Sequence, residues 1–325
     1  MKVKLLGTGA YAPEKSLSNA ELEKRVETSD AWIVERTGIR ARRIAAEGQP
    51  TSDLAARAAR IALDAARVRP EDVDTLLVAT STPDRVIPPT AVYVQKALGC
   101  WNAGCSDLIA ACSGFTYALH HARGLVGGGQ SKRCLVVGAE VLSRVTNYAD
   151  RGTCILFGDA AGAAVVGPSD GESDILYSRM GSDGRLEHLI IAPVGSSALP
   201  PTPENIRDGL HLIQMKGREV YKFAVPKFVE IIREALRETG LGLGDIAHFI
   251  PHQMNARMIE AVVERLSFPP ERVVLNIDRY GNTSAASIPL ALDESVRSGR
   301  IRRGDLILMC AMGAGLTWGT VILRW

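Results

Sequence analysis

The chain is 325 residues long, enough for about two domains or one duplicated fold. Its 46% hydrophobic and 23% charged residues match an average soluble domain and exclude long disorder, collagen and coiled coil. Lys and Arg number 38 against 36 Asp and Glu, and the net charge of +2 is too balanced for a nucleic-acid partner.

The start, MKVKLLGTGAYAPE, holds too short an apolar stretch for a signal peptide. Short apolar runs then alternate with helical stretches. The first half reads as helix Asp53–Val68, strand Thr75–Thr80 (TLLVAT), helix Thr90–Leu98, a strand ending near Ile109, helix Cys112–Val126 and strand Cys134–Gly138 (CLVVG). The Pro/Ser-rich stretch Ala192–Asn205 is a surface loop of the length that often forms lids. The second half reads as helix Val220–Thr239, strand Ala247–Ile250, helix Asn255–Leu266 and helix Thr283–Arg297. The apolar runs are continuous, as in strands covered on both faces, so the pattern predicts α/β layers. The uncharged run Leu306–Leu323 has the length of a membrane span. Its central Met312-Gly-Ala-Gly and β-rich flanks predict two buried strands around a glycine turn, and no membrane span.

The halves repeat one another. The strand after Val73 corresponds to the one after Ile246 at an offset of 173, and helix Cys112 with strand Cys134 to helix Thr283 with strand Leu306 at about 171. One α/β unit used twice is expected, as residues 1–172 and 173–325. The six cysteines (Cys100, Cys105, Cys112, Cys134, Cys154 and Cys310) form no CxxC pair. Neither zinc nor a disulfide framework is expected, and a reducing, cytoplasmic setting fits.

Four segments carry chemistry. Cys112 opens a helix, where unpaired amides and the dipole favour thiolate and hence a nucleophile; a small buried residue is the plain alternative. His252 follows an apolar strand, where α/β proteins build their sites. Gly281-Asn282-Thr-Ser-Ala-Ala-Ser287 opens a helix in the repeat position of Cys112, and read alone it is an ordinary cap. Met312-Gly-Ala-Gly-Leu-Thr-Trp-Gly319 is a turn whose amides can approach a ligand, as an oxyanion hole requires, or a plain hairpin. If a two-fold relates the halves, Cys, His and Asn meet in one pocket.

With these segments in view, the chain resembles β-ketoacyl-[acyl-carrier-protein] synthase III of the thiolase-fold condensing enzymes, essentially from end to end. The resemblance rests on SDAWIVERTGIRARR (29–43), AACSGFTYAL (110–119), DRGTCILFGDAAGAAV (150–165), PHQMNAR (251–257), RYGNTSAASIPLAL (279–292) and GAGLTWG (313–319). It implies a thiolase fold of layered αβαβα architecture with Cys112, His252 and Asn282 as the catalytic triad. Thiolases carry a second catalytic cysteine where this chain has Ala311; Cys310 is one residue off, and on a strand that slip turns the side chain to the opposite face. Elongating condensing enzymes use two histidines, whereas this chain has His252 and Asn282. Both comparisons imply the initiating, CoA-primed type. Two departures stand out. Met312 replaces a Phe that borders the malonyl site, and Met254 replaces the commoner Ala near the pantetheine channel.

The resemblance further implies that Cys112 takes the acyl group of a short acyl-CoA. Malonyl-acyl-carrier protein then loses CO2 and is acylated to 3-ketoacyl-carrier protein, the initiating step of fatty-acid synthesis. The amides of Cys112 and Ala314 would form the oxyanion hole. Thr28, Trp32, Arg36, Arg151, Gly217 and Asn255 would bind CoA or pantetheine, Trp32 and Arg151 by sandwiching adenine. Ile87, reaching over from a second copy, would line the acyl pocket with Leu142, Phe157 and Leu189. Lys222, Gln253 and Arg257 would meet the acidic carrier protein. A homodimer is implied, and neither a metal nor a cofactor. The second reading is a secondary-metabolism relative that passes its acyl group to another acceptor.

Overall fold

In the computed structural model, which describes residues 1–325, the principal elements run in chain order as follows. They are β1 (Val3–Tyr11), α1 (Asp30–Thr37), α2 (Thr51–Ala66), β2 (Thr75–Ala79), α3 (Thr90–Leu98), β3 (Gly104–Leu108), α4 (Gly114–Gly127), β4 (Cys134–Val141) and β5 (Asp159–Pro168), then β6 (Asp174–Ser182), α5 (Gly217–Thr239), β7 (His248–Pro251), α6 (Ala256–Leu266), α7 (Ser287–Arg297), β8 (Leu306–Gly313) and β9 (Thr317–Arg324). Five strands form one sheet in the order β1-β5-β4-β2-β3, and four form another in the order β7-β8-β9-β6.

Strand alternation divides the apolar residues into three cores. Leu76, Val78, Leu135 and Val137 face outward, against Leu54, Ala58 and Leu63 of α2 and Val94 of α3. Their strand neighbours Leu77 and Val136 face inward, to Phe115 and Leu119 of α4, Ile288 and Leu292 of α7, and Ile307, Met309 and Ala311 of β8. Leu308, Cys310 and Ile322 face outward again, against Phe228 and Ile232 of α5 and Ile259 and Val262 of α6. The order is therefore helix, sheet, helix, sheet, helix: the five layers of the thiolase fold. Each large apolar side chain so buried contributes about 1.5–3 kcal/mol, which is why continuous apolar runs could serve as strands.

The duplication is visible in the register. Thr75 of β2 pairs with Cys134 of β4, and His248 of β7 pairs with Ile307 of β8, a separation of 59 residues in both parallel pairs. The turn Ala111–Ser113 before α4 and the turn Ser284–Ala286 before α7 also stand 173 apart. Their first residues, Ala111 and Ser284, share a left-handed backbone with φ of 45° and 47°, a region that residues other than glycine seldom occupy.

Where the halves differ, the site is built. β8 reaches β9 through Ala314–Leu316, whereas β4 reaches β5 through the long stretch 142–158. The guanidinium of Arg42 is fully buried and holds that stretch by donating to the Ile155 carbonyl (2.7 Å), and also to Asn19 (2.8 Å). The run Leu306–Leu323 forms the antiparallel pair β8–β9 around its glycine turn, as its composition predicts. No helix is long and apolar enough to cross a membrane.

Candidate active site

A cavity of about 730 Å³ opens between the halves, and Cys112, His252, Asn282 and Ala314 all line it. Cys112 lies in the Ala111–Ser113 turn, two residues before α4 rather than inside it. Burial pushes its thiol up to about 12, against an opposing effect from the Ser284 hydroxyl and a further upward push from Glu140. Desolvation thus opposes the thiolate that the helix end favours.

His252 follows β7, and its amide donates to the Cys310 carbonyl of β8 (2.8 Å). Its ring is buried, which lowers the imidazole to about 3 and keeps it neutral. Nδ1 meets the Ser287 hydroxyl at 2.7 Å, whereas Nε2 has no protein partner and is not sealed from the cavity. Asn282 is clamped between the halves: its amide donates to the Leu156 carbonyl (2.9 Å), and its carbonyl accepts from Gly158 (3.0 Å). Its Oδ1 accepts the Ser284 amide (2.8 Å), leaving Nδ2 as a free donor at the cavity. Gly281 makes this clamp possible, since a Cβ there would lie 2.7 Å from the Leu156 carbonyl oxygen at a φ of 66°.

Gly313 ends β8 directly against the nucleophile turn. A Cβ at this position would lie 2.7 Å from the Cys112 amide nitrogen and 2.8 Å from the Ala110 oxygen. That approach brings Ala314 to the cavity beside Cys112. A nucleophile, two neutral hydrogen-bond donors and a turn with backbone amides thus face one space. The arrangement suits acyl transfer through an oxyanion.

Residues 106–184 match the family model described as 3-oxoacyl-[acyl-carrier-protein (ACP)] synthase III, and residues 236–325 match the one described as its C terminal. The β-ketoacyl-[acyl-carrier-protein] synthase III of Caldanaerobacter subterraneus subsp. tengcongensis is 49% identical over 321 residues, 99% of this chain and 97% of its own. The chain belongs to the β-ketoacyl-[acyl-carrier-protein] synthase III family. The crystal structure of 3-oxoacyl-[acyl-carrier-protein] synthase III from Aquifex aeolicus VF5 superposes with a TM-score of 0.93 at 47% identity, covering 99% of this chain and all of that one. The priming β-ketosynthase of the R1128 polyketide biosynthetic pathway superposes with a TM-score of 0.92 at 39% identity, covering 99% of this chain and 96% of its own. The chain is therefore a condensing acyltransferase, and the initiating synthases are favoured over the secondary-metabolism reading.

For a synthase III, the thiolase comparison resolves cleanly. Ala311 belongs to the central core and Cys310 to the outer one, beside Thr320. The two residues thus point to opposite faces of β8, and neither lines the cavity.

The expected CoA positions separate. Trp32, Arg36, Gly217 and Asn255 line the cavity. The guanidinium carbons of Arg36 and Arg151 stand 4.7 and 4.8 Å from the Trp32 ring centroid. Trp32 and Arg151 are thus already in contact, and a base entering between them has to displace Arg151. Asn255 is the N-cap of α6, accepting the Arg257 amide (3.0 Å), and it ties α1 down by donating to the Arg36 carbonyl (3.0 Å). Thr28 is not part of the lining, and its hydroxyl oxygen is buried without a partner.

Leu142 and Phe157, from the long β4–β5 connection, line the cavity, but Leu189 does not. Leu189 is buried beneath the wall, which is formed instead by the following Ile190, Ile191 and Ala192. Ile87 is 82% exposed and lies outside this chain's own cavity. Lys222 and Arg257 are exposed, as a carrier contact requires. Gln253 is not: it is 1% exposed, and its amide group is committed to Pro251, Val274 and Asn276. It braces the loop behind His252 and cannot meet a carrier protein.

Sequence reasoning missed two residues that shape the site, Ser287 and Glu140. Ser287 was visible only as a small residue opening a helix. Glu140 carried no signal, because nothing in a strand sequence announces which carboxylate its fold will bury.

Proposed function

We propose that the site condenses a short acyl-CoA with malonyl-acyl-carrier protein in two half-reactions, with Cys112 as the acyl carrier. The observation that carries this reading is the meeting of Cys112, His252 and Asn282, from both halves, on one cavity. In the first half-reaction Cys112 attacks the thioester of acyl-CoA. The amides of Cys112 and Ala314 hold the oxyanion, and CoA leaves. In the second, malonyl-carrier protein binds, and loss of CO2 places charge on its thioester oxygen. His252 through Nε2 and Asn282 through Nδ2 donate to that oxygen, each such donor being worth about 3 kcal/mol. Both must be uncharged donors in a dry site, and burial of His252 supplies that condition. The carbanion attacks the acyl-Cys112 carbonyl, the Cys112 thiolate departs, and 3-ketoacyl-carrier protein is released.

The carrier protein meets Lys222 and Arg257, and CoA threads past Trp32, Arg36, Gly217 and Asn255, with Arg151 folding over its base. The active form is a homodimer joined along the exposed edge strand β3. Three large apolar side chains, Val86, Ile87 and Ile109, are exposed there, and Asp107 holds the start of α3 by accepting the Thr90 and Ala91 amides (2.6 and 2.8 Å). The test is a panel of acyl-CoAs with intact-mass detection of the acyl-enzyme, followed by addition of malonyl-carrier protein. A mass shift on Cys112 that malonyl-carrier protein discharges is the expected result. A shift that survives Cys112→Ala would overturn the assignment.

A further inference from the structure

The amides that would hold the oxyanion stand on separate turns from opposite halves of the chain. Cys112 lies in the turn Ala111–Ser113, and Ala314 in the turn between β8 and β9. Gly313 limits how closely the turns approach, since a Cβ there would lie 2.7 Å from the Cys112 nitrogen. Keeping them together also needs an attraction. Ser113 follows Cys112, and Thr317 pairs with Gly313 across the β8–β9 ladder. These two residues are 204 positions apart, yet their hydroxyl oxygens lie at 2.6 Å. Thr317 Oγ1 also reaches the Ala110 carbonyl at 3.0 Å and the Ala314 carbonyl at 3.1 Å. Ser113 Oγ reaches the same Ala110 carbonyl at 3.0 Å. Ser113 is fully buried, and neither side chain lines the cavity. The hydroxyl pair lies behind the wall that presents both amides.

We propose that the Ser113 and Thr317 hydroxyls form a clasp that sets the spacing of the Cys112 and Ala314 amides, with Thr317 as its centre. The clasp rests on the reading of those two amides as the oxyanion hole. Each hydroxyl has one proton to donate, and one of the two occupies the 2.6 Å contact. If Ser113 donates there, Thr317 donates to the Ala314 or the Ala110 carbonyl. If Thr317 donates there, Ser113 donates to Ala110. Either way, hydrogen bonds join the residue after Cys112 to the residue that opens β9. Two amides serve one oxyanion only when both stand about 2.7–3.1 Å from it. A turn free to drift therefore loses the hole without losing the fold. Ser113 and Thr317 act through Cys112 and Ala314, and both are positioning residues.

The surrounding seam is held by other contacts. Thr116 of α4 donates to the Ser113 carbonyl at 2.8 Å. Gly319 of β9 packs so closely that a Cβ there would lie 2.2 Å from Thr116 Oγ1. Tyr117 donates to the Gly181 carbonyl of β6 at 2.7 Å. On the far side of the turn, Asp183 and Leu316 exchange backbone hydrogen bonds of 2.8 and 3.0 Å. The packing of β9 on α4 thus has its own supports, and loss of the Thr317 hydroxyl falls on the stretch that carries Ala314. The decarboxylating donors are supported elsewhere as well, His252 by Ser287 and Asn282 by the Leu156 and Gly158 backbone. The clasp therefore predicts a split between the half-reactions.

The test is single-turnover acylation by acetyl-CoA, read by mass, in Thr317→Val, Thr317→Ser and Ser113→Ala. Thr317→Val keeps the shape and removes the hydroxyl, and its maximal rate should fall about tenfold or more. The half-saturating acetyl-CoA concentration should not change, as befits an interaction that acts in the transition state. Thr317→Ser keeps the hydroxyl and should restore most of the rate. Ser113→Ala should lose severalfold, less than Thr317→Val, because Thr317 still reaches Ala110 and Ala314. Combining the two should cost no more than Thr317→Val alone. Decarboxylation of malonyl-carrier protein without primer should change far less than acylation in every variant. Full acylation in Thr317→Val overturns the clasp, and so does a Thr317→Ser enzyme as slow as Thr317→Val. Equal losses in acylation and decarboxylation do the same. Should Thr317→Val fail to fold, full acylation in Ser113→Ala overturns it. The infrared carbonyl band of isotope-labelled acetyl-Cys112 separates the clasp from the hole. Two amide donors should lower that band in wild type below that of a thioester in apolar solvent, and Thr317→Val should raise it. A wild-type band that is not lowered removes the hole and the clasp with it, whereas a lowered band unchanged in Thr317→Val removes the clasp alone.

Discussion

Nδ1 of His252 and the hydroxyl of Ser287 lie 2.7 Å apart in a buried contact that joins the end of β7 to the first residue of α7. The Ser287 oxygen also accepts the Gln253 amide at 3.4 Å. If Ser287 donates its proton to Nδ1, the hydrogen of the neutral ring sits on Nε2 and faces the cavity. In that tautomer Ser287 makes His252 a donor.

Ser287→Ala should thus slow decarboxylation of malonyl-carrier protein by about 10- to 100-fold, the 1–3 kcal/mol cost of orphaning a buried hydrogen-bonding group. Acylation of Cys112 should change far less. The two steps are separable by mass and by CO2 release, and equal losses in both would count against this tautomer role.

Asn282→Ala should leave acylation largely intact and cost about 100-fold in condensation, one oxyanion-type donor's worth. Nδ2 has no other partner, but Oδ1 also accepts the Ser284 amide, so the loss combines the missing donor with an orphaned amide. Comparable losses in acylation and condensation would place Asn282 elsewhere in the mechanism.

Much of this was legible in the sequence, for identifiable reasons. The continuous apolar runs marked strands covered on both faces, and the internal offset placed Cys112 and the Asn282 segment at matching helix starts. The register and the turns share the full offset of 173; the smaller value near 171 arose from placing the second helix at Thr283, although α7 begins at Ser287. What escaped depends on surroundings. The Cys112 environment looked thiolate-forming from its helix alone, but burial pushes the thiol the other way, which a linear sequence does not show. Gln253 looked like a surface residue because polar residues usually are, yet three backbone partners bury it. Leu189 was placed in the pocket where the neighbouring residues 190–192 form the wall.

Acid should destabilise the fold through His252. Its folded value of about 3 lies below the unfolded one near 6.5. Between these the unfolded chain binds the extra proton, so the contribution is complete above about pH 6.5 and is lost as pH falls toward 3. Glu140 works in the opposite sense: raised to about 7 from 4.5, it favours the fold most below about pH 4.5 and loses that contribution as pH rises through 7. His252→Gln removes the first effect alone. Its urea midpoint should gain on wild type as pH drops from 7 to 5, and a constant gap between the two would argue against a buried neutral imidazole.

Gly313→Ala tests the approach of β8 to the nucleophile turn. The added Cβ would meet Cys112 nitrogen and Ala110 oxygen inside 3 Å, and both contacts are backbone atoms that cannot rotate away. Overpacking of this kind costs about 1–3 kcal/mol, here through displacement of the Cys112 and Ala314 amides. Acylation should fall at least tenfold, with decarboxylation affected less. Normal acylation in a stably folded variant would show that the two turns need not touch.

The proposed dimer would set primer length where two copies meet. Within one chain the acyl end of the cavity is walled by Leu142, Phe157, Ile155 and Leu156, all large and all buried. Ile87, on an exposed loop outside this cavity, is expected to close it from the second copy. A β-branched side chain has a stiff χ1 and cannot easily swing aside. Each further CH2 of a primer gains up to about 0.8 kcal/mol when there is room for it, but one or two too many cost about 1–3 kcal/mol in overpacking. The balance reverses early, so primers of about two to five carbons, branched ones included, should be preferred. Ile87→Gly should lengthen the accepted chain without weakening acetyl transfer, since Ile87 touches no catalytic group. Higher kcat/KM for lauroyl-CoA than for acetyl- or butyryl-CoA in the unmodified enzyme would sink this account. A fully active monomer would do the same, because it would leave Ile87 nothing to close.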